Sequence, residues 1–562
     1  MGLLDGLTSY GDDDFSRFLR GVFLASAGHD ESDLGRPIIG IGHTISDYTT
    51  CHRDMPGLVA AISRGVSEAG GVPMVFPTMS LPEALTEPTT MLYRNLLAME
   101  TEEVVRSQPM DAVVLVGGCD KTVPAQIMAA VSADIPYIQA VVGPMMTSTW
   151  RGERLGACTD CRRLWSRYRA GELDSDDVAE VRERLATTSG TCMVMGTASS
   201  MAVLAEVLGV MVGHAATAPS PSGDRLRVGL RTGRAAVQAA VQQRRPSTYL
   251  TRHSLWNATV ALAAIGGSTN AVVHLLAIAG RSGITFDLDD VAEILAEVPV
   301  VVDVKPSGEG YIEDFHAAGG VPRLLWEIRE FLQADPRMVD GSALSDHIRP
   351  PSRGSATRVI RPVSDPVSGP GGLRVLRGSL APRGALIKVA AASPSLLRHV
   401  GRAVVFESSA DASARVDDPN LDVTANSVLV LRNIGPVGAG MPEAGSMPIP
   451  AKLARAGVRD MVRVSDGRMS GTSFGTVVLH VVPEAAVGGP LGLVRDGDEV
   501  SLDVGSGRID LRVDDRELSR RKSEWRPPEP FERGWRRLYA RTVLQADLGA
   551  DLDFLAGPRT AQ

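Results

Sequence analysis

The chain has 562 residues, of which 44% are apolar and 22% charged, with a formal net charge of −8. That length implies roughly two to four domains and a sizeable core, and the composition excludes a disordered chain. Acidic and basic residues are interspersed, so no basic face is offered to nucleic acid and a small-molecule partner is expected.

The opening residues end in Asp12, Asp13 and Asp14 and carry neither a basic stretch nor a long apolar run, so export is not expected and a cytoplasmic location is. From residue 37 to about 142, short apolar runs alternate with helical patterns. Residues 37–42, 72–76, 112–116 and 135–142 read as strands, and 56–69 and 88–106 as helices. This alternation predicts an α/β domain with a mostly parallel sheet, whose ligands collect at the carboxyl ends of the strands. Gly117 and Gly118 follow one such strand and permit a sharp turn before Cys119.

Residues 151–185 are charged and Arg-rich and read as a surface excursion, after which an apolar helix is expected over 193–212. The most membrane-like stretch, 201–213, is interrupted by Glu206 and is too short to cross a bilayer. A second helical region spans 254–332, and Pro, Ser, Gly and Arg accumulate over 350–372 as in a linker. The boundary is placed at 366, dividing the chain into domains 1–365 and 366–562. Beyond it, apolar runs at 403–406, 427–432, 461–464, 476–482 and 500–504 alternate with Gly-rich turns and predict a compact β-rich domain.

The five cysteines are an odd number in a chain without a leader, which favours reduced thiols over a disulfide framework. Cys51, Cys119 and Cys192 sit in loop-like settings far apart in sequence. Each alone reads first as a buried, inert thiol; together they can hold an iron-sulfur cluster with one iron open to substrate. Asp120 and Lys121 leave the same strand end as Cys119, although Asp120 also suits a helix cap. Glu83 and Glu443 are carboxylates that can complete a magnesium site, or ordinary surface groups. Cys158 and Cys161 form a lone C-x-x-C pair outside the three-cysteine set, for which a structural role is expected rather than a zinc half-site or redox pair. His274 lies on a helix and is expected to be packed, and Gly435–Gly440 lacks the strand-turn-helix context of a phosphate loop.

Six motifs then occur in a fixed order: Gly117-Gly-Cys-Asp-Lys-Thr122, Cys192-Met-Val-Met-Gly-Thr-Ala-Ser199, Gly266-Gly-Ser-Thr-Asn270, Lys305-Pro-Ser-Gly308, Gly440-Met-Pro-Glu443 and Asp466-Gly-Arg-Met-Ser-Gly471. In these the chain resembles the dihydroxy-acid and sugar-acid dehydratases, from about residue 37 to the last fifty residues. The resemblance implies that Cys51, Cys119 and Cys192 hold a 2Fe-2S cluster. It implies that Glu83, Asp120, Glu443 and a carbamylated Lys121 hold Mg²⁺, and that Ser470 is the catalytic base. It further implies an α/β domain joined to a β-barrel-like domain, a hydroxy-acid substrate, and a homodimer or homotetramer.

The chain departs from the family pattern at Thr50-Cys51-His52, where many members have Pro-Cys-Asn, and at Val212-Gly213-His214, where many have Pro-Gly-Asn. The run from Met469 to His480 resembles the sugar-acid branch, so the expected reaction converts an aldonate to a 2-keto-3-deoxy acid. The rivals are dihydroxy-acid dehydration in branched-chain amino-acid synthesis, a non-catalytic ligand-binding homologue, and a zinc-thiolate enzyme built on Cys158 and Cys161.

Overall fold

The structure, a computed structural model, describes residues 11–351, 358–444, 447–529 and 531–557. Strands β1 (Ile38–His43), β2 (Val72–Pro77), β3 (Ala112–Gly117) and β4 (Tyr137–Val141) form a parallel sheet in the order β2-β1-β3-β4. Every residue of β3 and β4 is buried, as expected of strands covered on both faces. The helices Met55–Glu68 and Gly223–Gln242 pack on each other and against this sheet, while Thr90–Ser107 pairs with Cys119–Ala133. Further helices, Thr197–Val207, Arg252–Ala264 and Thr269–Arg281, bury nearly their whole circumference and continue the same core.

The Arg-rich stretch is more than a surface excursion. It forms a hairpin of β5 (Ser148–Trp150) and β6 (Glu153–Leu155) and the helices Thr159–Arg169 and Ser175–Arg184. Trp150, Leu155, Leu164, Leu173 and Val181 give it a small core of its own. A buried polar anchor helps tie it down: the Asp160 carboxylate accepts from the Gly156 amide (2.8 Å), the Tyr311 hydroxyl (2.8 Å) and Lys305 Nζ (3.1 Å). The motif lysine Lys305 therefore fastens this segment to the helical core.

A short pair, β7 (Pro299–Val300) with β8 (Ser368–Pro370), precedes an eight-stranded sheet. Its strands are β9 (Arg374–Leu376), β10 (Gly384–Ile387), β11 (Arg398–Phe406), β12 (Val428–Leu431), β13 (Arg463–Ser465), β14 (Val477–Val482), β15 (Glu499–Asp503) and β16 (Arg508–Arg512), in the order β16-β15-β11-β12-β13-β14-β10-β9. Neighbours from β11 to β14 run parallel and the others antiparallel. A bridge between Arg377 and Arg508 brings the two edges together, so the sheet nearly closes into a barrel. The period-2 pattern of β11 explains its burial on both sides: Ala403 and Val405 join one core with Val428 and Val430, Val404 and Phe406 another with Leu429 and Leu431.

The C-terminal residues return to the N-terminal half. Arg281 and Asp551 make a buried ion pair at 2.6 Å, and Arg94 donates to the carbonyls of Gly549 and Ala550. No helix among the described residues is long and apolar enough to cross a membrane.

Candidate active site

The site begins at the carboxyl end of β3. Gly118 stands there because the neighbours leave no room for a side chain: a Cβ would lie 2.4 Å from Val142 and 3.0 Å from His52 Nε2. Cys119 then opens the helix Cys119–Ala133 with φ of +65°, a strained value for a non-glycine residue. The turn aims Cys119, Asp120 and Lys121 into one buried space. The thiols of Cys119 and Cys51 are in hydrogen-bond contact, and this contact together with burial pushes the Cys119 thiol well above its ordinary range.

Cys192 lies in the turn before the helix Thr197–Val207, which starts later than the apolar run suggests because residues 193–196 form that turn. Its contact with Cys158 and its burial raise this thiol, with smaller contributions from Asp120 and Cys51, so the expected ligand thiols lie within electrostatic reach of one another. Cys158 also belongs to this neighbourhood. Its Sγ lies 3.0 Å from Cys192 Sγ, and it touches Cys161 as well. Hydrogen bonds from Cys161 and Cys192 hold the Cys158 thiol below its usual range, whereas that to Cys158 raises Cys192.

Beside the thiols, Glu83, Asp120 and Glu443 bring carboxylate oxygens within 4.8 Å of one another, a geometry able to hold a metal ion. Lys121 is fully buried, with Nζ 3.5 Å from Glu83 and 3.7 Å from Asp120 and no hydrogen-bond partner. Burial opposes ionisation of Glu83, but Arg468 and Lys121 outweigh it and bring its carboxyl down to about 2. Burial dominates at Asp120, whose carboxyl is raised to about 6. Arg468 ties the two halves together: its guanidinium donates to Glu83, to Glu443 (3.0 Å), to Thr89 Oγ1 (3.1 Å) and to the Met441 carbonyl (2.9 Å). Arg162 donates to the other oxygen of Glu443, also at 3.0 Å.

Ser470 is carried over from the barrel on the loop after β13. Gly471 makes the insertion possible, since a Cβ there would meet Ser268 at 2.6 Å and the Thr197 amide at 3.0 Å. Asn270 Nδ2 donates to the Met469 carbonyl and to Thr197 Oγ1, both at 3.1 Å. Thr159 Oγ1 donates to the Thr472 carbonyl (2.9 Å), and Ser470 Oγ pairs with Thr472 Oγ1 (2.8 Å). Five of the six motifs thus meet in one constellation, and the Lys305 motif anchors a sixth side.

The N-terminal model of the dihydroxy-acid/6-phosphogluconate dehydratase family matches residues 36–347, and the C-terminal model of the same family matches residues 358–550. The chain belongs to this family. It is accordingly a dehydratase, an enzyme of the hydro-lyase class. It is 45% identical to the L-arabonate dehydratase of Azospirillum brasilense across 98% of this chain and 97% of that one. It is 44% identical to the 6-deoxy-6-sulfo-D-gluconate dehydratase of Pseudomonas putida across 93% and 91% of the two chains. It is 37% identical to the dihydroxy-acid dehydratase of Pyrobaculum aerophilum across 94% and 95%.

In this dehydratase several residues at the site carry no sequence signal of their own. Arg468 stands two residues before Ser470 inside a motif, yet nothing local says that its guanidinium reaches Glu83. Arg162 and Cys158 lie in the Arg-rich stretch, and contacts distant in sequence, Asp160 with Lys305 and Tyr311 and Thr159 with Thr472, bring them inward. Lys388, buried at the end of β10, donates to the Gly471 carbonyl at 3.2 Å, and burial lowers its ammonium to about 7. His274 is packed, as expected, facing Arg94 Nη1 across 3.0 Å.

Proposed function

We propose that the enzyme dehydrates a sugar acid, removing the C2 proton and the C3 hydroxyl of an aldonate to leave a 2-keto-3-deoxy acid. The observation that carries this reading is the meeting of an oxygen-rich carboxylate triad and a buried lysine amine without a hydrogen-bond partner, beside the Cys51–Cys119 contact and under a serine loop from the other half of the chain. The names of the relatives at 44–45% identity support an aldonate over a branched-chain dihydroxy acid.

The residues fit the cofactors that the resemblance implies. Cys51, Cys119 and Cys192 would hold a 2Fe-2S cluster, three thiolates leaving one position free. Glu83, Asp120 and Glu443 would hold Mg²⁺ with Lys121 as a carbamate: Nζ is buried between two carboxylates without a hydrogen-bond partner, where CO₂ capture turns an amine into an anionic oxygen ligand. When bound, these groups supply Lewis acidity that acidifies the C2 proton and eases departure of the C3 hydroxyl. Ser470, as the alkoxide, first takes the C2 proton; the electron pair left on C2 then forms the C2–C3 double bond as the C3 hydroxyl leaves as hydroxide, which takes the proton back from Ser470 and departs as water. The enol so formed ketonises. Asn270, Thr472 and Lys388 hold the Ser470 loop in register, while Arg468 and Arg162 orient the carboxylates.

A homodimer or homotetramer in the cytoplasm goes with this reading, and light scattering tests the assembly. The function is tested by offering anaerobically purified enzyme a panel of aldonates and 2,3-dihydroxy-3-methyl acids with detection of 2-keto acid. Turnover of pentonates or hexonates is expected. Preference for the branched acids would move the enzyme to the amino-acid branch, and no turnover with full iron and magnesium would leave a binding protein.

A further inference from the structure

The proposed cluster would engage three of the five cysteines. Cys158 and Cys161 are unexplained by it, and the structure does not leave them in a remote corner. Cys158 precedes the helix Thr159–Arg169, and its sulfur touches that of Cys192 at 3.0 Å, inside the contact distance of two sulfur atoms. The contact joins two separate segments, the Asp160-anchored helix and the turn before Thr197–Val207. Both ends are fixed. Asp160 is held by Gly156, Tyr311 and Lys305, and the Met193 amide donates to the Ala157 carbonyl at 3.3 Å. Both residues are only partly buried. The 3.0 Å separation exceeds the length of a disulfide bond, about 2.05 Å, by only about 1 Å.

We propose that Cys158 and Cys192 form an oxidative modification site: when the cluster is lost to a peroxide, the two thiols close a reversible disulfide that preserves Cys192. This rests on the reading of Cys192 as a cluster ligand. The chemistry balances with peroxide as the two-electron oxidant. One thiolate attacks a peroxide oxygen, the O–O bond breaks, and a sulfenic acid and one water result. The other thiol then attacks the sulfenic sulfur, an S–S bond forms and a second water leaves. Without a partner at that distance, a sulfenic acid at Cys192 would continue to sulfinic acid, which a dithiol does not reverse.

The test treats the full-length, cluster-loaded enzyme with hydrogen peroxide until its visible absorbance is gone. Free thiols are then counted and non-reduced peptides mapped by mass. Two of the five thiols should disappear, a peptide linking Cys158 to Cys192 should appear, and dithiothreitol followed by iron and sulfide should restore the absorbance. In Cys158→Ala the linked peptide should be absent, Cys192 should appear as sulfinic acid, and restoration should fall at least several-fold. Cys161→Ala should still give the Cys158 to Cys192 link, which keeps the inference testable even where Cys158→Ala folds poorly. A link between Cys158 and Cys161, or full restoration in Cys158→Ala, would overturn it. Iron content of Cys192→Ser decides the ligand reading separately: normal iron there removes the cluster role and leaves the peptide map to stand by itself.

Discussion

Lys388 Nζ donates to the Gly471 carbonyl at 3.2 Å, so a buried amine that follows β10 holds the residue next to Ser470. The Gly471 carbonyl is itself buried, and losing its partner would cost about 1–3 kcal/mol. Lys388→Met should therefore lower kcat by about one to two orders of magnitude through displacement of Ser470, with KM changed much less. The same residue gives a pH signature. Its folded-state pKa is lowered to about 7 from 10.5 by burial, so the fold favours the neutral amine. Stability from this group is full above the unfolded value, falls as pH drops through the window, and is lost below about 7. Melting temperatures of wild type and Lys388→Met should diverge in favour of the wild type between about pH 7 and 9. A constant difference across that range would show that Lys388 does not titrate there.

Gly471→Ala tests the insertion of the loop directly. The added Cβ would meet Ser268 Cβ and Oγ at 2.6 Å, and Ser268 is pinned by a 2.9 Å hydrogen bond to Thr197. The neighbours have no free end to swing away, so the loop must retreat. A shift of about 1 Å at a catalytic group costs on the order of a hundredfold in rate. Iron and magnesium contents should stay unchanged, because neither Gly471 nor Ser470 is a proposed ligand. Wild-type kcat in this variant would mean that the loop has room to spare.

The chain's own residues explain why some of this was readable in sequence. The strand at 112–116 was visible because a doubly covered parallel strand is a continuous apolar run, and the carboxyl-end rule then pointed at Cys119 and Asp120. The barrel was only partly visible. Runs such as 403–406 and 476–482 stood out, but β9 is only three residues long and β16 alternates charged with apolar residues, so both carry weak signal. Their closure depends on the Arg377–Arg508 bridge, a contact across more than a hundred residues. Likewise the Arg-rich composition of 151–185 concealed Asp160, whose burial rests on partners at Lys305 and Tyr311. Charge counts a residue as solvated until its distant partners are known.

Lys121→Ala should weaken magnesium binding, because it removes a ligand that becomes anionic only on carbamylation. The buried Nζ lies 3.5 Å from Glu83 and 3.7 Å from Asp120, and a free ammonium there would repel an arriving dication. Isothermal titration with Mg²⁺ should show the loss. Enzyme reconstituted with ¹³C-labelled bicarbonate should give a carbamate resonance that is absent from Lys121→Ala. Equal magnesium affinity and no resonance in the wild type would remove the carbamate and leave Lys121 as a counter-charge to the carboxylates.

Ser470→Ala separates the proposed base from everything that merely holds the site. Ser470 Oγ is paired with Thr472 Oγ1 at 2.8 Å and receives the Thr472 amide at 3.4 Å, contacts that orient the hydroxyl without filling it. Removing one oxygen leaves Gly471, Asn270 and Lys388 to keep the loop in place, so the fold, iron and magnesium should survive. The rate should fall by roughly two to four orders of magnitude, the scale of a positioned acid-base group. Two readouts decide the point: single-turnover dehydration of the preferred aldonate, and exchange of its C2 hydrogen with deuterated solvent. Both should fall together, since proton removal precedes loss of the hydroxyl in this scheme. The alternative base is His480, which faces Thr269 Oγ1 at 3.2 Å and is buried. Burial, with Arg468 and Lys121 nearby, lowers its imidazole to about 3, which keeps it neutral at working pH but makes it a weak proton acceptor. Normal C2 exchange in Ser470→Ala together with its loss in His480→Gln would nevertheless move the base to the histidine.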